Sequence, residues 1–499
     1  MEKTAIVPTR ESNYPEWYQQ VIVAADLAEN SPVRGCMVIK PWGYAIWEQI
    51  QQQLDCKLKQ TDHVNAYFPL LIPLSLLEKE AAHVDGFAKE CAVVTHHRLV
   101  ATAEGNLIPD GKLEEPLVIR PTSETIIGEM FAKWIKSYRD LPLKINQWAN
   151  IMRWEMRTRI FLRTSEFLWQ EGHTAHANKQ EAIDETLQIL DIYTNLVEDY
   201  LAMPVIKGEK PCFERFPGAV NTYCIEAMMQ DKKALQAGTS HFLGQNFSQA
   251  AKIQFATKDG GLDYAWTTSW GVTTRLIGSL IMVHSDDNGL VLPPKIAPQQ
   301  VVIIPIYRNE AEQQQVLDYC AKLNERIMNI TFANAQVRSY IDKRDLRGGD
   351  KAWQWIKKGV PIRIEIGVRD IANGAVYFGR RDLPPQQKQS LPTDDFVSQL
   401  AAILDSMQAN LLTKAKAFMQ ANIFNLENLE QFNQFFNEDQ LISKGFASCY
   451  AIDDPQIEKF IKPLKVTARC IPLEQDASSG ICIFTGKATA KKMIFAKAY

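Results

Sequence analysis

The sequence predicts a multidomain α+β and α/β protein: a large α+β unit, then a compact α/β unit, then a smaller α+β unit. Three observations carry this. The chain has 499 residues, and at roughly 100–200 residues per domain two to four domains are expected. Pro293, Pro294 and Pro298 cluster where the pattern changes, which marks a boundary. Beyond them short apolar strands alternate with helical stretches, the pattern of an α/β unit, until a polar connector at 383–393 containing Pro384-Pro385-Gln386-Gln387-Lys388-Gln389. The units are therefore expected at 1–297, 298–393 and 394–499.

In the first unit, Ile46, Trp47, Ile50 and Leu54 fall at helical spacing after Pro41, which predicts a helix over 42–54. A strand is expected at 66–71, with Pro69 restricting it to an edge. A helix follows Pro121, then strands at 145–155 and 166–173, a helix at 178–202, and strands at 252–255 and 264–269. In the second unit strands are expected at 301–305, 337–341, 362–366 and 375–378, with helices at 309–327 and 351–358. The last unit opens with a helix over 395–420 and closes in strand-like sequence ending Phe495-Ala496-Lys497-Ala498-Tyr499.

Composition excludes several classes. The formal net charge is −3, so the molecule as a whole is not a basic nucleic-acid binder, and nucleic acid must be met by a local patch. Nine cysteines without a regular framework fit a reducing cytosol rather than a disulfide scaffold. Only Ala5-Ile6-Val7 forms an apolar run near the start, too short for a signal peptide. No stretch is apolar enough to span a membrane. A cytoplasmic protein is expected.

The chemistry begins at Arg153-Trp154-Glu155. Arg163 stands ten residues after Arg153, and Phe167 four further on. Two antiparallel strands joined by a loop can aim these arginines and a ring at one nucleotide. The guanidinium fork suits phosphate, and an aromatic face stacks on adenine. Arg-x-Glu by itself reads rather as a surface hairpin with ordinary charge pairs, since such tripeptides are common.

The surrounding blocks decide between those readings. They are Arg120-Pro121-Thr122-Ser123-Glu124-Thr125, Thr164 through His173, Gln236-Ala237-Gly238-Thr239-Ser240-His241, Leu243 through Phe247, and Ser269 through Arg275. Together with Gly35 through Pro69 they resemble the prolyl-tRNA synthetases over nearly the whole chain, in the archaeal/eukaryotic-like form without an inserted editing domain. The resemblance implies a class II catalytic domain on a mixed, mainly antiparallel sheet, an α/β anticodon-binding domain and a small C-terminal domain. It implies a homodimer, with the segment ending at Pro69 building the interface, and a reaction of L-proline, ATP and tRNA(Pro). Magnesium would accompany ATP.

By the same resemblance Arg153, Glu155 and Arg275 are catalytic. Arg153 would touch the α-phosphate and help hold the substrate carboxylate. Glu155 would face the adenine amino group, Phe167 would stack on the ring, and Arg163 and Arg275 would hold the outer phosphates. Thr164, Gln236 and Thr273 would complete the nucleotide site. Thr122 and Glu124 would grip the proline nitrogen, with Trp169, Glu171, His173, Thr239, His241, Ser269 and Gly271 lining the pocket. Phe87 and Glu90 lie near it in the family. Arg363, Arg369 and Asp370 are the expected anticodon contacts. They lie in the stretch 342–382, whose ten Lys or Arg and six Asp or Glu give +4. Here the chain departs from the family: Ile356 stands for an acid, Ala352 for an aromatic residue, and Val368 for a proline.

Other readings are weaker. His173 and His176 have metal-pair spacing but no third ligand. Arg347-Gly348-Gly349-Asp350-Lys351 lacks P-loop spacing and reads as a turn before a helix. Zinc, present in the last domain of many relatives, is not expected: Cys449, Cys470 and Cys482 stand without close partners, and no histidine follows His284. A silent paralogue would have lost Arg153, Glu155 or Arg275. A synthetase for threonine, glycine or histidine would lack the blocks at 120–125 and 236–241.

Overall fold

A computed structural model describes residues 5–78, 90–437 and 443–499. The first unit is organised by helix α1 (Pro41–Lys59), strand β1 (Val64–Asn65), α2 (Glu124–Trp134), β2 (Leu143–Met152), β3 (Glu166–His176), α3 (Lys179–Asn195), β4 (Val205–Glu209), β5 (Asn221–Met228), β6 (Ala234–Gly244), β7 (Trp266–Thr273) and α4 (Arg275–His284). A long hairpin, Ala92–Ala101 with Leu107–Ile119, stands outside the main sheet and pairs with Leu71–Pro73.

The second unit contains β8 (Val301–Pro305), α5 (Glu310–Met328), β9 (Ser339–Ile341), α6 (Gly348–Lys357), β10 (Ile362–Ile366), β11 (Ala375–Arg380) and β12 (Lys388–Pro392). Its five strands run β9-β8-β10-β11-β12, with parallel pairing only on either side of β8. The last unit adds α7 (Thr393–Ala421), β13 (Ile423–Asn425), β14 (Phe446–Tyr450), β15 (Thr467–Pro472) and β16 (Lys492–Ala496).

The last unit does not fold as a separate sheet. Its strands continue the catalytic sheet, giving eleven strands in the order β13-β14-β16-β15-β4-β5-β6-β7-β3-β2-β1. The join is β15 against β4, with Ile471 opposite Glu209 and Pro472 opposite Gly208. Every pairing is antiparallel except β13 with β14 and β1 with β2, at the two edges, so the sheet is mixed and mainly antiparallel as expected.

One face of this sheet packs on α3, where Ile189, Leu190 and Tyr193 meet Ile225, Leu235, Trp270 and Val272 in a buried core. Asn178 caps α3 by accepting a hydrogen bond from the Glu181 N–H at 2.9 Å. A five-residue π turn, Leu196–Tyr200, ends the helical stretch that the sequence carried on to residue 202. In the second unit the apolar side chains of β8 and β10 pack on α5 and on the first half of α7, through Phe396, Leu400, Leu404 and Met407.

Three expectations need correction. Residues 66–70 are not a strand, and only Leu71 of the expected segment enters one. Phe68 spends its backbone groups on side chains instead of a ladder: Phe68 N–H donates to Gln147 Oε1 at 2.5 Å, and Arg120 Nη1 donates to the Phe68 carbonyl at 2.8 Å. The connector 383–393 holds edge strand β12, paired antiparallel with β11; its lysine and closing proline are what an exposed edge tolerates. Strand β2 ends at Met152 rather than 155: Arg153 N–H still donates to the Ser165 carbonyl at 2.7 Å, but Trp154 N–H leaves the ladder for the Glu90 carbonyl at 2.8 Å.

Candidate active site

Side chains on a strand alternate between faces, and β3 uses this period directly. Phe167, Trp169, Glu171 and His173 share one face and line a cavity of about 440 Å³. The neighbouring strands supply the same face in register: Thr273 lies opposite Trp169, Gly271 opposite Glu171, and Ser269 opposite His173. One strand further, Thr239 lies opposite Gly271 and His241 opposite Ser269. Glycine suits position 271, since a Cβ there would come 3.0 Å from the Gln170 carbonyl oxygen. His176 is three residues from His173 and therefore on the other face, hydrogen-bonded with Thr174 at 2.8 Å. The two rings cannot chelate one ion.

The remaining expected residues arrive on turns and helix starts. Thr122 and Glu124 stand at the start of α2, with the Thr122 hydroxyl donating to the Glu124 carboxylate. Arg153 Nε donates to the Pro121 carbonyl at 2.8 Å, and its guanidinium lies 5.8 Å from the Phe167 ring centre. Arg275 opens α4, with Nε donating to the Leu162 carbonyl at 3.2 Å. All the residues expected at the nucleotide and proline ends line this one cavity, including Glu155, Arg163, Thr164 and Gln236, and Glu90 with them. Phe87 lies outside the described residues.

The electrostatics divide the cavity. At one end, burial and then the neighbouring Arg163, Arg469 and Arg153 charges pull the Arg275 guanidinium down to about 10. Such a concentration of cations is built for an anion. Arg163 meets Glu155 Oε2 through Nη2 at 2.8 Å and Nε at 3.0 Å and is half exposed. At the other end Glu171 is buried, accepting from Ser123 Oγ at 2.6 Å and Gln147 Nε2 at 2.7 Å, and pairing with His173 Nε2 at 2.9 Å. Burial opposes protonation of His173, but the Glu171 hydrogen bond and charge outweigh it, so its pKa is raised. Burial holds His241 down at about 4, hence neutral. The Trp169 Nε1 and Ser269 Oγ atoms are buried here without hydrogen-bond partners among the described residues, polar atoms placed for a ligand.

Sequence reading missed part of the wall: Lys210, Glu214, Arg215, Phe216 and Thr222. The signal was present in Lys210-Pro211-Cys212-Phe213-Glu214-Arg215-Phe216, two cations interleaved with two rings, but strands β4 to β6 around it went unread.

Away from the cavity, Arg363 sits on β10, buried, on the face opposite the apolar Ile362, Ile364 and Ile366 side chains. Burial and then Arg381 lower its pKa to about 10, and its Nη1 is buried without a hydrogen-bond partner among the described residues. Asp370 Oδ2 accepts from the Gly367 N–H at 2.8 Å and so caps a short helix, Val368–Ala372, on which Arg369 is exposed. Arg347 is the N-cap residue of α6 and Gly348 its first residue, a helix start rather than a phosphate loop.

In the last unit Cys449 and Cys482 share one buried core, while Cys470 lies in another with Cys224. Among the described residues no group of three or more His, Cys, Asp or Glu side chains is placed to hold a metal ion. None of the described helices is long and apolar enough to cross a membrane. The terminal Tyr499 hydroxyl donates to Asp231 Oδ2 at 2.6 Å, and its ring lies 5.4 Å from the Arg159 guanidinium, in the turn before Arg163.

Residues 108–284 match the tRNA synthetase class II core domain (G, H, P, S and T), residues 300–403 the anticodon binding domain, and residues 430–499 the prolyl-tRNA synthetase C-terminal domain. The chain is 61% identical to proline--tRNA ligase of Bdellovibrio bacteriovorus over 499 residues, covering 100% of both. It is 57% identical to proline--tRNA ligase of Rhodopirellula baltica, covering 100% of this chain and 98% of that one. Among solved structures, prolyl-tRNA synthetase from Cryptosporidium parvum, complexed with halofuginone and AMPPNP, superimposes with a TM-score of 0.89 at 39% identity, covering 99% of this chain and 97% of that one.

Proposed function

We propose how this cavity works from the premise that the chain belongs to the prolyl-tRNA synthetase family, class II ligases that activate L-proline with ATP and transfer it to the 3′ end of tRNA(Pro). The observation that carries the assignment of roles is the shared strand face: residues for nucleotide and for amino acid sit in register along one wall, at a cationic and a carboxylate–imidazole end. Glu124 and Thr122 take the proline ammonium, with Trp169, Glu171, His173, Thr239, His241, Ser269 and Gly271 shaping the pocket around the ring. Phe167 stacks on adenine and Glu155 accepts from its amino group, with Gln236, Thr164 and Thr273 beside the nucleotide.

Arg153 lies between the two ends and bridges the proline carboxylate and the α-phosphate. A carboxylate oxygen attacks the α-phosphorus, the bond to the β-phosphate bridging oxygen breaks, and pyrophosphate leaves. No protein nucleophile is needed; positioning and charge stabilisation suffice. Arg163 leaves Glu155 to meet the outer phosphates together with Arg275 and the magnesium that enters with ATP. In the second step the terminal tRNA hydroxyl attacks the prolyl carbonyl carbon and AMP leaves.

The finer assignments are part of this proposal. The chain is of the archaeal/eukaryotic-like form without an inserted editing domain, supported by the interval between Phe167 and Ser269, which strands β3 to β7, α3 and short connections occupy. It works as a cytoplasmic homodimer. Support comes from the sheet edge at β1, where Val64 on the strand and Tyr67 just beyond it are 57% and 72% exposed. Its units are 1–297, 298–393 and 394–499, with the first half of α7 sharing the core of the second. Arg363, Arg369 and Asp370 contact the anticodon, and zinc is not a constituent. Charging of tRNA(Pro) with labelled proline tests the reaction. Preformed alanyl-tRNA(Pro) should persist in the presence of the protein, since small apolar differences give only about 1–3 kcal/mol of discrimination and correction would require a second site. Rapid enzyme-dependent deacylation would reveal an editing site and contradict the assigned form.

A further inference from the structure

The wall of the cavity that carries Lys210 is anchored on a residue of the last unit. Lys210 Nζ donates to Glu226 Oε1 at 2.9 Å. Arg469, on β15, grips the same carboxylate at two points: Nε to Oε2 at 3.0 Å, and Nη2 to Oε2 at 2.8 Å and Oε1 at 3.1 Å. All three residues are buried, Glu226 completely. Glu226 stands directly opposite Gln236 across β5 and β6, one strand pair from the nucleotide end.

Irregularities in the sheet point these side chains at each other. The β15–β16 register passes from Ala468 opposite Phe495 to Cys470 opposite Ile494, leaving Arg469 as the extra residue of a bulge. The β5–β6 register shifts between Ile225 and Glu226, so that Ala237 is the extra residue beside Gln236. Bulges occur next to active sites, where they re-aim a side chain.

We propose that Arg469 is a positioning residue for adenylate formation, acting through Glu226 on Lys210 and on the Gln236–Arg275 end of the cavity. The inference rests on the nucleotide assignment above. A fully buried carboxylate must be paired, and the bidentate guanidinium does this with fixed geometry. Glu226 thereby leaves the Gln236 amide and the Arg275 guanidinium facing the cavity. Without Arg469 the carboxylate draws on the donors nearest to it, and those donors form the nucleotide wall. At the proline end, Thr122, Glu124, Glu171 and His173 stand on the α2 start and β3, outside the contacts of this carboxylate, while Thr239 and His241 lie on β6 three and five residues past Gln236.

The test is proline-dependent ATP–pyrophosphate exchange with Arg469→Met and with the double variant Arg469→Met/Glu226→Gln, each checked for a cooperative thermal transition. Arg469→Met should raise the KM for ATP about tenfold or more and leave the KM for proline within about twofold. The added Glu226→Gln should bring the ATP KM back toward the starting value, because no buried anion remains to capture the wall. An unchanged ATP KM in folded Arg469→Met overturns the proposal. So does a parallel rise in both KM values without rescue by Glu226→Gln, the outcome of a packing role. Should Arg469→Met fail to fold, Arg469→Lys keeps the charge and loses the two-point grip: a raised ATP KM supports the proposal and an unchanged one overturns it. Failure of the nucleotide assignment would show separately, as absent proline-dependent exchange in the unsubstituted chain.

Discussion

Replacing Glu171 by Gln should lower the titration midpoint of His173 and change how stability depends on pH. The two side chains meet at 2.9 Å and are 6% and 3% exposed, so water screens little of their interaction. Burial alone would push the His173 pKa below its ordinary value. Glu171, through its hydrogen bond and charge, and Glu124 more weakly, raise it instead. Glu171→Gln keeps the shape and an acceptor for Ser123 but removes the charge. A hydrogen bond to a charged group contributes about 1.5–3 kcal/mol, and removing that charge lowers the His173 pKa toward the side favoured by burial.

The sign follows from linkage. A histidine whose folded pKa is raised contributes stability that is fully present below its unfolded pKa, near 6.5. That contribution is lost as pH rises through the folded pKa. The stability gap between the unsubstituted protein and Glu171→Gln should therefore be widest on the acid side of about 6.5 and narrow on going alkaline. The assay is NMR of ring-labelled histidine, with the His173 signal assigned by its absence in His173→Gln, alongside urea unfolding at several pH values. An unchanged His173 midpoint in folded Glu171→Gln would refute the reasoning.

Arg153→Ala should lower kcat for adenylate formation by about 10²–10³, the loss of about 2.7–4 kcal/mol seen when one preorganised donor is removed. Folding should persist, since strands β2, β3 and β7 around the site are held by their own ladder; near-normal exchange in a folded variant would count against the role. Arg363→Ala should weaken aminoacylation of tRNA(Pro) while sparing pyrophosphate exchange, and equal loss of both would point to a folding defect. Metal analysis of protein purified without chelators should find no stoichiometric zinc; one tightly bound zinc per chain, lost on replacing Cys449 and Cys482, would contradict that expectation.

How much of this was legible in the sequence depends on how local the cause is. The period of two that places Phe167, Trp169, Glu171 and His173 on one face is written in consecutive residues. The strand at 362–366 was bounded correctly because alternating isoleucines and turn-forming neighbours define it locally. The segment 66–70 was misread because the backbone partners of Phe68 are the side chains of Gln147 and Arg120, far along the chain. Strand β12 was hidden in a polar connector because an edge strand need bury little. Lys210 escaped notice for the same reason that gives it its place: it depends on Glu226, which depends on Arg469, a residue 243 positions further on and in another unit. No local pattern announces that charge, nor the continuation of the catalytic sheet through β15.

The central claim is that this cavity activates proline and no other amino acid as its main substrate. Amino-acid-dependent ATP–pyrophosphate exchange, run with each amino acid of the standard set in turn, tests it most directly. Proline should support rapid exchange, with alanine as a slow second, because a pocket closed around a small ring cannot sterically exclude a smaller apolar side chain. Exchange supported by another amino acid and not by proline would contradict the account.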